Sequence, residues 1–314
     1  MQPNIAVVGS GLIGRAWAIV FARAGFPVRL YDIDSGALDY ARDRIAEALG
    51  DLARYGLIED SDVILGRIRT VSDLAEALDD VAYVQECAPE TVDAKRSVFA
   101  ELDRAAADDV ILASSSSGIV ASDFIGHLQH PERCLIAHPV NPPYLIPLVE
   151  LCPAPVTDPS VTERARSLLL EAGQVPVMVR GELRGFILNR IQGAVLNESL
   201  RLYEDGYVTV ADIDDTLRHG LGLRWSFMGP FETIDLNAPG GLKEYADRYG
   251  PLYEALSHEQ ADPRPWSRET IERLHAERRS ALPEKELEQR QSWRDKRLMA
   301  LIAHKTAAAK DSGS

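Results

Sequence analysis

Gly9-Ser10-Gly11-Leu12-Ile13-Gly14 lies between an apolar run, Ile5-Ala6-Val7-Val8, and a stretch in which Ala16, Ile19, Val20 and Phe21 recur at helical spacing. A short, wholly apolar run suits a strand buried on both faces of a parallel sheet. The helical stretch ends at Gly25, and a second strand-like run, Val28 to Tyr31, stops at Asp32. This is a βαβ unit whose first turn has the spacing of a dinucleotide fingerprint. Gly9 permits the tight turn, Gly11 the close approach of a pyrophosphate, and Gly14 the close packing of helix on strand. Leu12 and Ile13 open the helix, whose free N–H groups and partial positive charge suit phosphate. Asp32 is placed to accept hydrogen bonds from the adenosine ribose. No Lys or Arg follows within three residues to neutralise a 2′-phosphate, so NAD is expected over NADP.

Further strand-like runs fall around 82–84, 110–113, 134–137, 148–151 and 175–179, alternating with helical segments near 94–104 and 160–172. That alternation predicts a doubly wound α/β sheet of Rossmann type. Residues 36–69 interrupt it with helical patterns and are expected to form an arm projecting from the sheet. After about residue 183 no convincing strand follows. Ile187, Ile191, Val195 and Leu200 predict a long helix stopped at Gly206, and Thr209 with Asp212 a capping-box-like start to the next. The expected organisation is a nucleotide-binding domain over 1–182 and an all-helical domain over 183–314, with fraying from Lys305 onward.

The net charge of −14 argues against a nucleic-acid partner, because phosphate binding needs clustered Lys and Arg. No apolar run reaches the roughly 20 residues that span a bilayer. The first residues lead into a strand without the basic stretch of a secretory signal, so a cytoplasmic protein is expected. Cys87, Cys134 and Cys152 are too few, and wrongly spaced, for a disulfide framework or a zinc site; no metal is expected.

His138 ends one strand-like run, and Glu150 lies twelve residues on within Leu148-Val149-Glu150-Leu151. A carboxylate among apolar residues is costly unless paired. A histidine held at one ring nitrogen by a carboxylate keeps the other free as a general base. Taken singly, His138 reads as a core histidine bonded to backbone; the carboxylate and the cofactor signal favour the base. Ser114-Ser115-Ser116-Ser117-Gly118 follows the run 110–113 at the carboxyl end of the sheet, where such folds bind ligands; it reads as a substrate contact or as a polar loop. Glu90 and Lys95 carry a similarly open signal.

In order and with the expected separations, VVGSGLIG, the Glu90/Lys95 pair, ASSSSG, AHPVNPPYLIPLVEL, GFILNR and MGPFET resemble the 3-hydroxyacyl-CoA dehydrogenase superfamily. Within it, GLGLRWSFMGPFETIDLNAPGG at 220–241 and QSWRDKRLM at 291–299 resemble the branch of lambda-crystallin and L-gulonate 3-dehydrogenase. The L-carnitine 3-dehydrogenases are a second near branch. The resemblance implies an N-terminal Rossmann domain, a helical domain that dimerises, and NAD as cofactor. It implies that His138 is the catalytic base, Glu150 its orienting partner, and Ser117 and Asn189 the groups that hold the substrate oxygen. It further implies cofactor contacts at Glu90, Lys95, Ser117 and Asn141. The all-serine run departs from the Asn and Thr that acyl-CoA enzymes commonly carry before the matching serine.

Two features bear on substrate. The arm 36–69 has no lysine and has seven acids against five arginines, a poor match for the phosphates of coenzyme A. Arg224, just before Met228-Gly229-Pro230-Phe231, offers a fork that matches a carboxylate, with a surface or dimer-interface residue as the alternative reading. A small 3-hydroxy acid is therefore expected, with an acyl-CoA or L-carnitine as alternatives. Outside enzymes, a crystallin-like structural protein is the competing reading.

Overall fold

The computed structural model describes residues 2–312. The chain divides into two compact units, one running to Asn189 and resuming at Arg290, the other spanning Arg190–Gln289. The final segment thus groups with the first unit.

The first unit is built on an eight-stranded sheet: β1 (Asn4–Val8), β2 (Val28–Tyr31), β3 (Ile68–Val71), β4 (Val81–Glu86), β5 (Ile111–Ser114), β6 (Cys134–Pro139), β7 (Leu148–Pro153) and β8 (Val175–Met178). Their order is β3-β2-β1-β4-β5-β6-β7-β8. All pairings are parallel except β6 with β7. Chain order reverses beside β1, the place where such sheets bind ligands beyond the carboxyl ends of their strands.

The helices around this sheet are α1 (Leu12–Arg23), α2 (Ser35–Arg54), α3 (Ser61–Gly66), α4 (Leu74–Leu78), α5 (Val92–Ala105), α6 (Ser122–Ile125) and α7 (Pro159–Glu171). Asp34, Asp60, Asp73, Thr91 and Asp158 accept hydrogen bonds from the free N–H groups that open α2, α3, α4, α5 and α7. α1 starts on Gly11 and has no such cap.

The expected arm is built into the fold. Leu38, Ala41, Ile45, Leu49 and Leu52 of α2 are buried in one core with Trp17, Phe21, Leu30 and Ile68. Residues 68–71, read as the end of that arm, form an edge strand paired with β2. The run is four residues long with Arg69 and Thr70 at its centre, too short for a strand period to show.

The second unit, described by itself, is helical. α8 (Leu188–Glu204) enters it, followed by α9 (Val210–Thr216), a π-helical turn at Leu217–Leu221, α10 (Gly222–Trp225), α11 (Pro230–Asp235), α12 (Gly241–Glu259) and α13 (Arg268–Ala281). Thr209 caps α9 through Asp212 N, as its capping-box pattern predicts. Arg201 gathers the carbonyls of Glu259, Gln260 and Asp262 and so closes the C-terminal end of α12 onto α8. α14 (Leu287–Ser312) then returns to the first unit, where Met299 is buried in the core beside α1 and α2. It stays helical past Lys305, where fraying is expected. Among the described residues, no helix is long and apolar enough to cross a membrane.

Candidate active site

At the start of α1 the three glycines do separate jobs. Gly9 has φ +103°, and a Cβ there would stand 2.8 Å from the Cys87 carbonyl oxygen. A Cβ on Gly14 would stand 1.8 Å from the Gly9 carbonyl oxygen, so only glycine lets α1 approach β1 this closely. Gly11 has open space on its Cβ side. The turn therefore offers uncapped N–H groups beside a clear approach, which fits a pyrophosphate. Leu12 is exposed there and Ile13 half-buried. Asp32 closes β2 and accepts from Ser10 N and Ser10 Oγ, both at 2.8 Å, and from Asp34 N at 3.1 Å. Burial works to raise its pKa, but these bonds win and hold it below the usual carboxylate range. It is thus an oriented anion suited to two ribose hydroxyls and hostile to a phosphate. These features together fit NAD.

His138 and Glu150 are directly paired residues of the antiparallel strands β6 and β7. Both side chains therefore project from the same face, and Nδ1 of His138 lies 2.9 Å from Oε2 of Glu150. Oε1 of Glu150 accepts from Ile187 N at 2.7 Å and Leu188 N at 2.8 Å, where α8 begins. Burial alone would raise the pKa of Glu150. The bonds from His138, Leu188 and Ile187 outweigh it and hold the carboxyl below its ordinary value. An ionised Glu150 fixes the proton of the neutral imidazole on Nδ1 and leaves Nε2 as the basic nitrogen. Phe186, fully buried, packs on the imidazole with ring centroids 5.2 Å apart. Its φ of +48° is a conformation that costs a bulky residue about 1–3 kcal/mol. The strained turn Gly185-Phe186 thus delivers both the ring and the N–H groups of Ile187 and Leu188 to the His138–Glu150 pair.

The serine run splits in function. Ser114 Oγ donates to Glu86 at 2.5 Å. Ser115 is buried among Trp17, Gln85 and Cys87. Ser116 Oγ bonds Glu90 Oε1 at 2.7 Å. Only Ser117 presents an exposed side chain. Serine in place of Asn and Thr at 115 and 116 is thus met by partners in the protein interior. Glu90 Oε1 also accepts from Ser117 N and Gly118 N, at 2.8 and 3.1 Å, which orders the loop. Asn189 Nδ2 donates to the Ser117 carbonyl oxygen at 2.6 Å, bringing those two residues together. Asn141, two residues past β6, is exposed.

Lys95 is fully buried, with Nζ 2.9 and 3.0 Å from the oxygens of Glu86, 3.1 Å from the Ala88 carbonyl oxygen and 3.6 Å from Glu90 Oε2. Glu86 was not singled out from the sequence. Its pKa is raised, because burial outweighs the Lys95 charge and the bonds from Ser114 and Ala88 N. Its signal was available: an acid at the end of an apolar strand, nine residues before a lysine. Gln85, fully buried one residue earlier, was missed as well. Arg224 lies in the second unit, exposed, in α10 directly after the π-helical turn, with Nη1 3.4 Å from Asn237 Oδ1. Such turns frequently mark functional sites.

Two family models match the chain: the NAD-binding domain of 3-hydroxyacyl-CoA dehydrogenase over residues 4–182, and its C-terminal domain over 185–282. The chain is 41% identical to rabbit (Oryctolagus cuniculus) lambda-crystallin over 95% of both chains. It is 39% identical to an L-carnitine dehydrogenase of Pseudomonas sp over 79% of this chain and 77% of that one. Among solved structures, 5-formyl-3-hydroxy-2-methylpyridine 4-carboxylic acid 5-dehydrogenase, an NAD+-dependent dismutase, superposes with a TM-score of 0.83 at 28% identity, covering 97% of this chain and 98% of that one.

Proposed function

The chain belongs to the 3-hydroxyacyl-CoA dehydrogenase family and is an NAD-dependent dehydrogenase acting on a CH–OH group; from that premise we propose that it oxidises the 3-hydroxyl of a small 3-hydroxy acid, with His138 as general base. The 2.9 Å bond between His138 and Glu150 carries this reading. It leaves Nε2 of a neutral imidazole free to take the hydroxyl proton, and the carboxylate then stabilises the imidazolium. Help of this kind is worth about 10²–10⁴ in rate. Ser117 and Asn189 hold the substrate oxygen. Gly9, Gly11, Leu12, Ile13, Gly14 and Asp32, with Glu90 and Asn141, hold the dinucleotide; Lys95, buried on Glu86, does not reach it directly and acts through Glu90. When bound, NAD supplies the hydride acceptor at the carbinol carbon.

The charges of residues 36–69 support an acid over an acyl-CoA. Each of the five arginines there has a protein partner: Arg42 the Ile68 carbonyl, Arg44 Glu47, Arg54 Asp51, Arg67 the Ala22 carbonyl and Arg69 Glu76. Arg224 is the group we assign to the substrate carboxylate. Self-association through the second unit, as a homodimer, would cover Leu223, Phe227, Phe231 and Leu236, all exposed. The test is NADH formation over L-gulonate, L-carnitine, 3-hydroxybutyrate and 3-hydroxybutyryl-CoA. A kcat/KM highest for a free acid supports the proposal, and a preference for the thioester overturns it. Turnover on none of them would favour a structural role.

A further inference from the structure

Beneath the catalytic pair lies a closed polar network that the chemistry above does not use. Gln85, at the fifth position of β4, is fully buried. Its Oε1 accepts from the Tyr83 hydroxyl at 2.6 Å. Its Nε2 donates to Ser115 Oγ at 2.7 Å and to the carbonyl oxygen of Ala137 at 3.3 Å. Ser115 Oγ also accepts from Trp17 Nε1 at 3.1 Å, and stands 3.2 Å from Cys87 Sγ. With both lone pairs of Ser115 so occupied, its proton points to the sulfur, which burial keeps a thiol by pushing its pKa up to about 12. Each polar atom of the Gln85 carboxamide is thus matched.

The three ends of this network are functional addresses. Trp17 lies in α1, three residues past Gly14. Ser115 is two residues before Ser117, and Ala137 immediately precedes His138. β5 stops at Ser114, paired with Ile136, while β6 runs on to Pro139, so Ala137 and His138 are laddered on the β7 side alone. The Gln85 amide reaches Ala137 in that stretch. Within a buried strand an apolar side chain of similar volume would serve packing as well or better, so a glutamine here has a geometric use.

We propose that Gln85 is a positioning residue for the base: anchored on Ser115, it holds Ala137 of β6 in place, so that His138, the next residue, meets the substrate hydroxyl. This rests on the reading of His138 as general base. Misplacement of a reacting group by about 1 Å can cost 10²-fold. Gln85→Met, which keeps the volume and removes both donors, is therefore expected to lower kcat about 10- to 100-fold with little change in KM for NAD.

The deciding experiment is a double-mutant cycle with His138→Ala. If Gln85 acts through the base, Gln85→Met leaves the residual kcat of His138→Ala within about twofold, since the group it positions is gone. A general loosening of the fold lowers kcat by the same factor in both backgrounds, and that result overturns the inference. So does an unchanged kcat in the single variant. Should the methionine variant fail to fold, Gln85→Glu, equal in size and with acceptors in place of donors, goes through the same cycle against the same criteria. Near-normal turnover in His138→Ala alone overturns the reading of the base and this inference with it. Loss of turnover there, joined to a multiplicative effect of Gln85→Met, sinks only the present inference.

Discussion

His138 and Glu150 face each other across the one antiparallel pairing of the sheet, and the carboxylate that holds the imidazole also holds the first two N–H groups of the turn into α8. A single buried side chain thereby sets the tautomer of the imidazole and anchors the residues leading to Asn189. His138→Ala is expected to lower kcat by about 10² or more, while NADH affinity, read by fluorescence titration, stays near wild type. Near-normal turnover would mean that the base lies elsewhere.

Glu150 also makes stability depend on pH in a defined sense. Its folded pKa lies below the ordinary value, because the bonds from His138, Leu188 and Ile187 outweigh burial. Its contribution is therefore full above the unfolded carboxylate's pKa, about 4.3, and is lost as pH falls through the lower folded value. Glu150→Gln should be less stable than wild type at pH 7 by about 1–3 kcal/mol. The gap should narrow as pH falls below about 4. Urea denaturation at several pH values measures it, and a gap constant down to the acid transition would contradict the assignment.

Asp32, held by Ser10 as an oriented anion, should favour NAD over NADP by at least about tenfold in kcat/KM, equivalent to roughly 1.4 kcal/mol. Asp32→Ala should shrink that ratio. Equal use of both dinucleotides by the wild type would show that the anion does not choose.

Lys95 and Glu86 form an ion pair with both side chains almost wholly buried. Lys95→Met leaves a buried carboxylate unmatched and is expected to destabilise the protein by about 3–5 kcal/mol. Lys95→Met with Glu86→Gln should recover part of that loss. A single substitution as mild as the double would show that the pair is replaceable.

Arg224→Met should raise KM for a 3-hydroxy acid by about 10- to 150-fold, the 1.5–3 kcal/mol of a charge-assisted contact. Activity on the neutral ester or amide should fall far less. Equal losses on charged and neutral substrates would place Arg224 in support of the helical unit instead.

Much of the first unit was legible because its information is local. A glycine turn, its flanking strand and helix, and Asp32 fall within about thirty residues. The edge strand β3 was not, since Ile68-Arg69-Thr70-Val71 has too few residues to display a period. His138 and Glu150 could be named from their apolar surroundings, yet only strand register shows that they stand opposite. The serine run shows the limit most clearly. Four identical residues look equivalent in sequence, whereas their directions, three inward and one outward, are set by backbone geometry at the end of β5. Gln85 stayed hidden for a related reason: Ser115 and Ala137, which its amide joins, lie far from it in sequence.

The return of α14 to the first unit has a consequence for how the chain is made. Met299, a core residue beside α1 and α2, is synthesised only after the intervening unit Arg190–Gln289 has emerged. At ribosomal rates of roughly 5–20 residues per second, that interval lasts about 5–20 s. Throughout it the first unit lacks its last helix, and the place that Met299 takes in the core is unfilled. The order of synthesis, N-terminal half first, is thus not the order of completion: the first unit to begin folding is the last to close.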